Sequence, residues 1–441
     1  MNKRTLYAII AIIIICVAAV IGYFSIMGIK KPEKITLVMV THWGDPEQLK
    51  IQQKWIEEFQ KQHPEVEIRL VTTSFMELRT KIVTMFQAGT PPDIIHIFNA
   101  WIPEFVEAGW LAEAPSGLIP WIKENFISSA VEGITYKDKM WGIPTETNTY
   151  LLAYRKDHFA EVGLEPAKWD RPWDYDDFLA ACEKLIKRDP ATGELKRTCF
   201  GWWLGEINTG FVHPFAALLV SNGGKLVSPD LSRVTYDSIE GVEVAHLWYT
   251  IIKNGWWSPA FPINVGLPYG NVSMFIIAPW WKWNFIPVLG TNFTNYIGVM
   301  PIPIGPHNKD GIWRTVSYHW LLAVTSTCKY KDIAWEFAKF ITVPRGVNAS
   351  YIGEYFVKYM GIIPSSKHDL KVLNVMEDPW LGLFAKAAFE ENRTIPIPLI
   401  PKYEDIMTPL WKNLEQMITT GLEPEVALKS AAEESNRILG R

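Results

Sequence analysis

Tryptophan is the unusual residue of this sequence: 21 of 441 residues, accompanied by 16 Tyr and 21 Phe, more flat amphipathic surface than core packing alone needs. Trp280, Trp281 and Trp283 crowd into one short stretch behind Ala278 and Pro279. Other indoles lie within a few residues of a polar partner. Trp43 precedes Glu47, Asn99 precedes Trp101, and Tyr318 precedes Trp320, while Glu146 and Asn148 share the polar stretch Thr145 to Thr149. Indole plates beside carboxylates and amides make a recognition chemistry, in which the plates cover the apolar faces of a guest and the polar groups take up its hydroxyls. Because an exposed tryptophan needs a reason, at least one member of the 280–283 cluster is expected to face a ligand. The plainer reading is three partly buried loop tryptophans.

Bond-breaking chemistry has no comparable signature. GxSxG, HExxH, P-loop and GxGxxG strings are missing, and these are the spacings that acyl transfer, zinc hydrolysis and nucleotide binding require. The 9 histidines show no paired ligand spacing, and Cys182, Cys199 and Cys328 form no CxxC, so no metal and no cofactor are expected. In an oxidising compartment Cys182 would pair with Cys199, and two free buried thiols are the other reading. A glycosidase needs only two carboxylates, which leave no spacing signature, so a secreted carbohydrate-active enzyme remains the alternative to a binding protein.

With 43 Lys plus Arg against 47 Asp plus Glu, the net charge of -4 leaves no basic footprint for nucleic acid. At the start of the chain, Leu6 to Met27 carries no charge and matches the ~20 residues a helix needs to cross a bilayer. A single-pass anchor behind Asn2, Lys3 and Arg4 is expected, placing residues 1–34 in the membrane and linker and the remainder on the extracytoplasmic face. Lipidation at Cys16 is the rival, opposed by Ile13, Ile14 and Ile15 where small residues would be expected. Sequons at Asn271, Asn292, Asn348 and Asn392 suit that location and make glycosylation conceivable.

The elements that must position the recognition residues follow from periodicity. Ile35 to Val40 is a continuous apolar run, the pattern of a buried parallel strand. Trp55, Ile56 and Phe59 recur at helical spacing before His63 and Pro64 stop them, and Val66, Ile68 and Leu70 alternate as the next strand. A second amphipathic stretch carrying Leu78, Ile82 and Met85 ends at Ala88-Gly89, and Asp93 to Phe98 reads as another buried strand. Strands alternating with helices indicate α/β domains, whose ligands bind outside the carboxyl ends of parallel strands. Trp43 and Glu47 fall in such a turn after the first strand; Glu47 also suits the first turn of a helix, where acids are favoured for their charge alone.

Several strings in order resemble the family 1 extracellular solute-binding proteins, the maltose-binding-like class. They are Phe59-x3-His63-Pro64, Met85 to Ile94, Trp141-Gly-Ile-Pro144, Leu151 to Lys156, Phe159-x3-Gly163, Trp173-x4-Phe178, Asn222-Gly-Gly224, Gly298 to Pro303 and Ala334 to Phe340. Trehalose/maltose-type members are nearest, through Ala100-Trp-Ile102, Pro144 to Arg155 and Asn392 to Pro398. The resemblance implies an α/β, two-lobed, periplasmic-binding-protein-like (type II) fold preceded by the N-terminal transmembrane helix. The lobes are expected at 35–147 plus 302–342 and at 148–301 plus 343–441, with hinge crossings near Thr147, Pro303 and Val343. It further implies a monomeric subunit of an ABC importer that captures a carbohydrate, a di- or oligosaccharide, in the cleft and delivers it to permease subunits.

By the same resemblance Asn99 and Trp101 occupy a position facing the cleft, although an acidic residue carried there by relatives is not clearly retained; Trp101 as plain core is the other reading. Glu146 and Asn148 stand where relatives place an aromatic and an acid, a departure that points to a different hydroxyl geometry. Tyr318 and Trp320 match a wall of the sugar pocket, with Trp320 the foremost stacking residue. Arg393 matches a family arginine that donates in a fixed fork, or is a surface arginine beside Asn392. A polyamine or a polyol phosphate in the same fold is a further alternative; the first would want an acidic cleft without an arginine, the second more basic loops.

Overall fold

The computed structural model describes residues 34–440, so the anchor expected at Leu6 to Met27 lies outside them; among the described residues no helix is long and apolar enough to cross a membrane. The chain opens with strand β1 (Ile35–Thr41), helix α1 (Pro46–Gln62), β2 (Val66–Thr72), α2 (Leu78–Gln87) and β3 (Ile94–Phe98). Asp45 starts α1 sharply: its carboxylate accepts from the N–H groups of Glu47 and Gln48, the Gln48 side chain returns the bond, and Pro46 presets the first turn. Buried Trp55, Ile56 and Phe59 form the inner face of α1. Phe59 meets Phe337 edge-to-face at 5.1 Å, and burying such a ring contributes roughly 1.5–3 kcal/mol.

After a small hairpin the chain enters β4 (Ile143–Thr149) and, one residue later, β5 (Leu151–Arg155). Tyr150 between them is where the path leaves one sheet for another. The second sheet then gathers β6 (Lys187–Arg188), β7 (Leu195–Phe200), β8 (Val272–Ile277) and β9 (Ile297–Met300) in the order β9-β5-β8-β7-β6. Helices α3 (Tyr175–Leu185), α4 (His213–Ser221) and α5 (Ile239–Lys253) accompany it, with Trp248 of α5 packed among Phe200, Trp202, Phe211 and Phe215.

The path returns to the first sheet with β10 (Thr315–Val324), which pairs antiparallel with both β3 and β4 and so lies between them. Helix α6 (Lys331–Thr342), β11 (Ile363–Pro364) and β12 (Thr394–Pro396) follow, and β11 bonds to β4 while β12 bonds to β10. The first sheet therefore runs β11-β4-β10-β3-β1-β2, with β12 beside β10. Helices α7 (Tyr403–Thr420) and α8 (Pro424–Ile438) close the chain against α5 of the second lobe. Tyr236 there bonds Ser435 at 2.8 Å and Tyr249 bonds Glu423 at 2.6 Å.

Residues 343–441 were expected in the second lobe; within them β11 and β12 hydrogen-bond into the first sheet, whereas Trp380 between the two packs on Phe285 and Phe293 of the second lobe. The segment after α6 does not reveal in its own sequence which sheet it joins; the ladder bonds of β11 and β12 do. Of the two readings of Cys182 and Cys199, the structure has the free thiols, buried side by side on α3 and β7. Burial first, and the neighbouring Cys199 second, push the Cys182 thiol well up.

Candidate ligand-binding site

Strand β4 is the sequence's least strand-like strand, Ile-Pro-Thr-Glu-Thr-Asn-Thr, yet every residue of it is buried. All three of its threonines are used structurally, Thr145 through a bond to His96 Nε2 at 3.0 Å. Thr147 bonds His319 Nδ1 at 3.1 Å and Ser365 at 3.0 Å, and Thr149 donates to the Phe384 carbonyl at 3.1 Å. Glu146 and Asn148 share a face of the sheet because side chains alternate along a strand. Across the ladder Glu146 stands opposite Trp320 and Asn148 opposite Tyr318, while Trp320 stands opposite Phe98 and Glu146 opposite Pro364. One face thus assembles Phe98, Trp320, Glu146, Asn148 and Tyr318 from three strands. A break in register between Trp320 and Leu321 re-aims the row at this point.

Aromatic rings wall the face. Trp320 lies 4.6 Å from the His42 ring, 5.0 Å from His96 in a stacked arrangement, and 5.8 Å from both Phe98 and Trp101. His42 also borders a groove of about 330 Å³ lined by Gly44, Asp45, Gln48 and Thr72 to Ser74. The second lobe supplies the opposite wall. The Trp280 indole N–H donates to the Tyr318 phenol oxygen at 2.9 Å, and Trp281 stacks behind Trp280 at 5.7 Å. Trp101 Nε1 donates at 2.9 Å to Glu404, in the first turn of α7, which also accepts from Asn208 at 3.3 Å.

Several buried polar atoms on this face have no partner among the described residues: Glu146 Oε2, Asn148 Oδ1, Trp43 Nε1, Tyr355 Oη, and Nδ1 of His42 and His96. Native interiors rarely leave such groups unpaired, since each costs ~1–3 kcal/mol. Their clustering around Trp320 marks the place where a polar guest would be received. Trp43 ties the group together, 4.2 Å from His96 and 5.5 Å from Tyr355. Burial drives the electrostatics here. It raises the Glu146 carboxyl to about 8, against a smaller opposing pull from Asn148, and lowers His42 to about 3 and His96 well below its usual value, so neither imidazole is charged near neutrality.

The residues singled out from sequence fall into three groups. Glu146, Asn148, Tyr318, Trp320, Trp101 and Trp280 converge on the inter-lobe face. Trp43 and Trp281 back it as fully buried rings, and Asn99 is committed to the frame, donating to the Gly133 carbonyl at 3.2 Å and accepting from His319 N–H at 3.1 Å. Glu47 and Arg393 lie apart. Glu47 is exposed and pairs only with Lys50 at 3.4 Å, whereas Arg393 packs on Trp313 at 4.5 Å and Trp169 at 5.6 Å and bonds Glu390 and the Trp313 carbonyl. Sequence reading passed over His42, His96 and Tyr355, whose importance lies in spatial adjacency to Trp320. A histidine next to Trp43 at the strand end was the only local signal.

The model of the bacterial extracellular solute-binding protein family matches residues 44–348. The chain belongs to that family. This solute-binding protein is similar to a binding protein of Brucella abortus strain 2308, at 26% identity over 391 residues covering 86% of this chain and 88% of the relative. It is also similar to the maltotriose-binding protein of Pyrococcus abyssi, at 25% identity over 358 residues covering 79% and 71%. Among solved structures, an ABC transporter solute-binding protein of Thermotoga lettingae bound with alpha-D-tagatose superposes with a TM-score of 0.75 at 23% identity, covering 92% of this chain and all of the other. That likeness establishes the two-lobed α/β solute-binding fold.

Proposed function

We propose that this solute-binding protein captures a carbohydrate, a di- or oligosaccharide, between its lobes and hands it to the permease of an ABC importer, without catalysing a reaction. The observation that carries this reading is the indole of Trp320 set in register beside Glu146, with Asn148 on the same face and its acceptor unpartnered. A sugar ring presents C–H faces to stack and hydroxyls to bond, and this surface supplies both complements. The sugar-named relative, maltotriose-binding in its case, supports the same class.

Further parts of the reading rest on sequence. Leu6 to Met27 serves as the single-pass anchor that keeps the monomeric receptor on the extracytoplasmic face, near its permease. Asn292, Asn348 and Asn392 are exposed, as glycosylated positions would have to be.

Titration of an oligosaccharide panel followed by tryptophan fluorescence tests the proposal. A saturable change with at least one di- or oligosaccharide is expected, and the ligand should be recovered intact after prolonged incubation. Silence across the panel rejects the carbohydrate reading, and recovery of cleaved sugar rejects the non-catalytic one.

A further inference from the structure

The arrangement around Glu146 carries the carbohydrate reading one step further, to the charge of the ligand. Glu146 is 3% exposed, and its one bond is from Asn148 Nδ2 to Oε1 at 3.1 Å. Oε2 is buried and unpartnered, and so is Oδ1 of Asn148 on the same face. Once Glu146 is ionised, the site offers two neighbouring acceptors deep under aromatic rings. A buried carboxylate is normally stabilised by a cation, because desolvation of an isolated one is expensive.

No cation among the described residues serves it. Its sheet neighbours are Trp320 on one side and Pro364 on the other, and Tyr318 and Tyr355 border it. Apart from Glu146 itself, the charges acting on those two phenols are Asp45 and Glu206, both acidic. The imidazoles of His42 and His96 are neutral. Arg393, which a sugar-phosphate reading would have needed here, is held by Trp313, Trp169 and Glu390, and Arg79 is occupied by Glu104 at 2.8 Å. What remains is an acid-floored, indole-walled space, the environment that attracts an ammonium group through both its charge and the ring faces. An ammonium also has only donors to offer, which matches two free acceptors better than a hydroxyl does.

Resting on the carbohydrate reading above, we infer that the ligand is an amino sugar whose protonated amine pairs with Glu146 beside the face of Trp320. Binding then converts Glu146 from its neutral to its ionised form, and the displaced proton leaves to solvent. The decisive experiment is calorimetric titration of the full chain at mildly acidic pH, where the sugar amine is fully protonated and Glu146 is neutral, in two buffers of different ionisation enthalpy. The probes are the glucosamine disaccharide, its N,N′-diacetyl form and a neutral glucose disaccharide.

The amine form should bind at least about tenfold more tightly than the diacetyl form, the factor that one unit of pKa shift represents, and its binding should release a proton. Glu146→Gln should bring the ratio of the two affinities towards one. Proton release by the unmodified protein reads the same pairing even if that variant does not fold. Equal or tighter binding of the diacetyl or glucose form, or binding of the amine without proton release, overturns the inference and leaves the carbohydrate reading standing. Spermidine binding with no response to any sugar removes both.

Discussion

Trp280 and Tyr318 touch across the two lobes: the indole N–H that follows β8 of the second sheet donates to the phenol oxygen in β10 of the first, at 2.9 Å. Tyr318 is 5% exposed, and burial is the main reason its phenol is pushed far above the usual range. The bond is therefore made in a dry setting, where a lost partner leaves an unpaired donor. Trp101 to Glu404 is another inter-lobe contact, and the two flank the face that carries Glu146 and Trp320.

Replacing Tyr318 with Phe keeps the ring and removes the acceptor. A loss of ~1–3 kcal/mol in the stability of the closed form is expected, read as a weaker apparent sugar affinity and a lower urea midpoint. An unchanged affinity would mean that closure does not depend on this bond.

Trp320→Ala should weaken ligand binding by about 1–4 kcal/mol, as for a central anchor. The same change at Trp411, which sits on α7 and bonds only Glu415 at 2.9 Å, should leave affinity within experimental error. Since Trp320 is also packed among rings, its removal is expected to lower the melting temperature as well, and near-ultraviolet circular dichroism establishes that the variant binds in a folded state.

Stability should depend on pH in two opposite ways. His42, His213 and His319 are each lowered by burial to about 3, so the unfolded chain binds protons that the folded chain refuses. Stability is then lost as pH falls from ~6.5 towards 3. Glu146 acts the other way: raised from 4.5 to about 8, it keeps a proton in the fold that the unfolded chain releases. Its contribution declines as pH rises from 4.5 to about 8, and Glu146→Gln should flatten the upper part of that slope. Urea midpoints across this range measure both limbs, and a midpoint rising steadily from pH ~6.5 to 8 would contradict the second.

Cys182, Cys199 and Cys328 are free and buried. In the native protein an aromatic disulfide reagent should leave these three unlabelled, and in denaturant all 4 cysteines of the chain should react. Fewer reactive thiols after denaturation without reductant would reveal a Cys182–Cys199 bond.

The first units of the fold were legible because they are locally consistent. The apolar run of β1, the capped amphipathic α1 and the Gly89 stop after α2 each state their own conformation through periodicity and end signals. Strand β4 was not legible in that way. Thr145 to Thr149 reads as a loop by composition, and it is a strand because β10 and β11 satisfy its backbone on both sides while His319 and Ser365 receive its Thr147 hydroxyl. Arg393 was undecided for a related reason: a donor fork identical in chemistry can serve a ligand or, as here, the Trp313 carbonyl and a neighbouring glutamate, and only its surroundings distinguish the two.

By itself the sequence determined that this chain is an alternating α/β protein rich in indoles beside carboxylates and amides, because composition and period are local properties. Tertiary structure alone decided which of those indoles meet, that Glu146 and Asn148 share a dry face with Trp320 while Glu47 and Arg393 stay outside it, and that β11 and β12 join the first sheet. The reason is that strand register and burial depend on partners far away in the chain, and a side chain's charge and function follow from them.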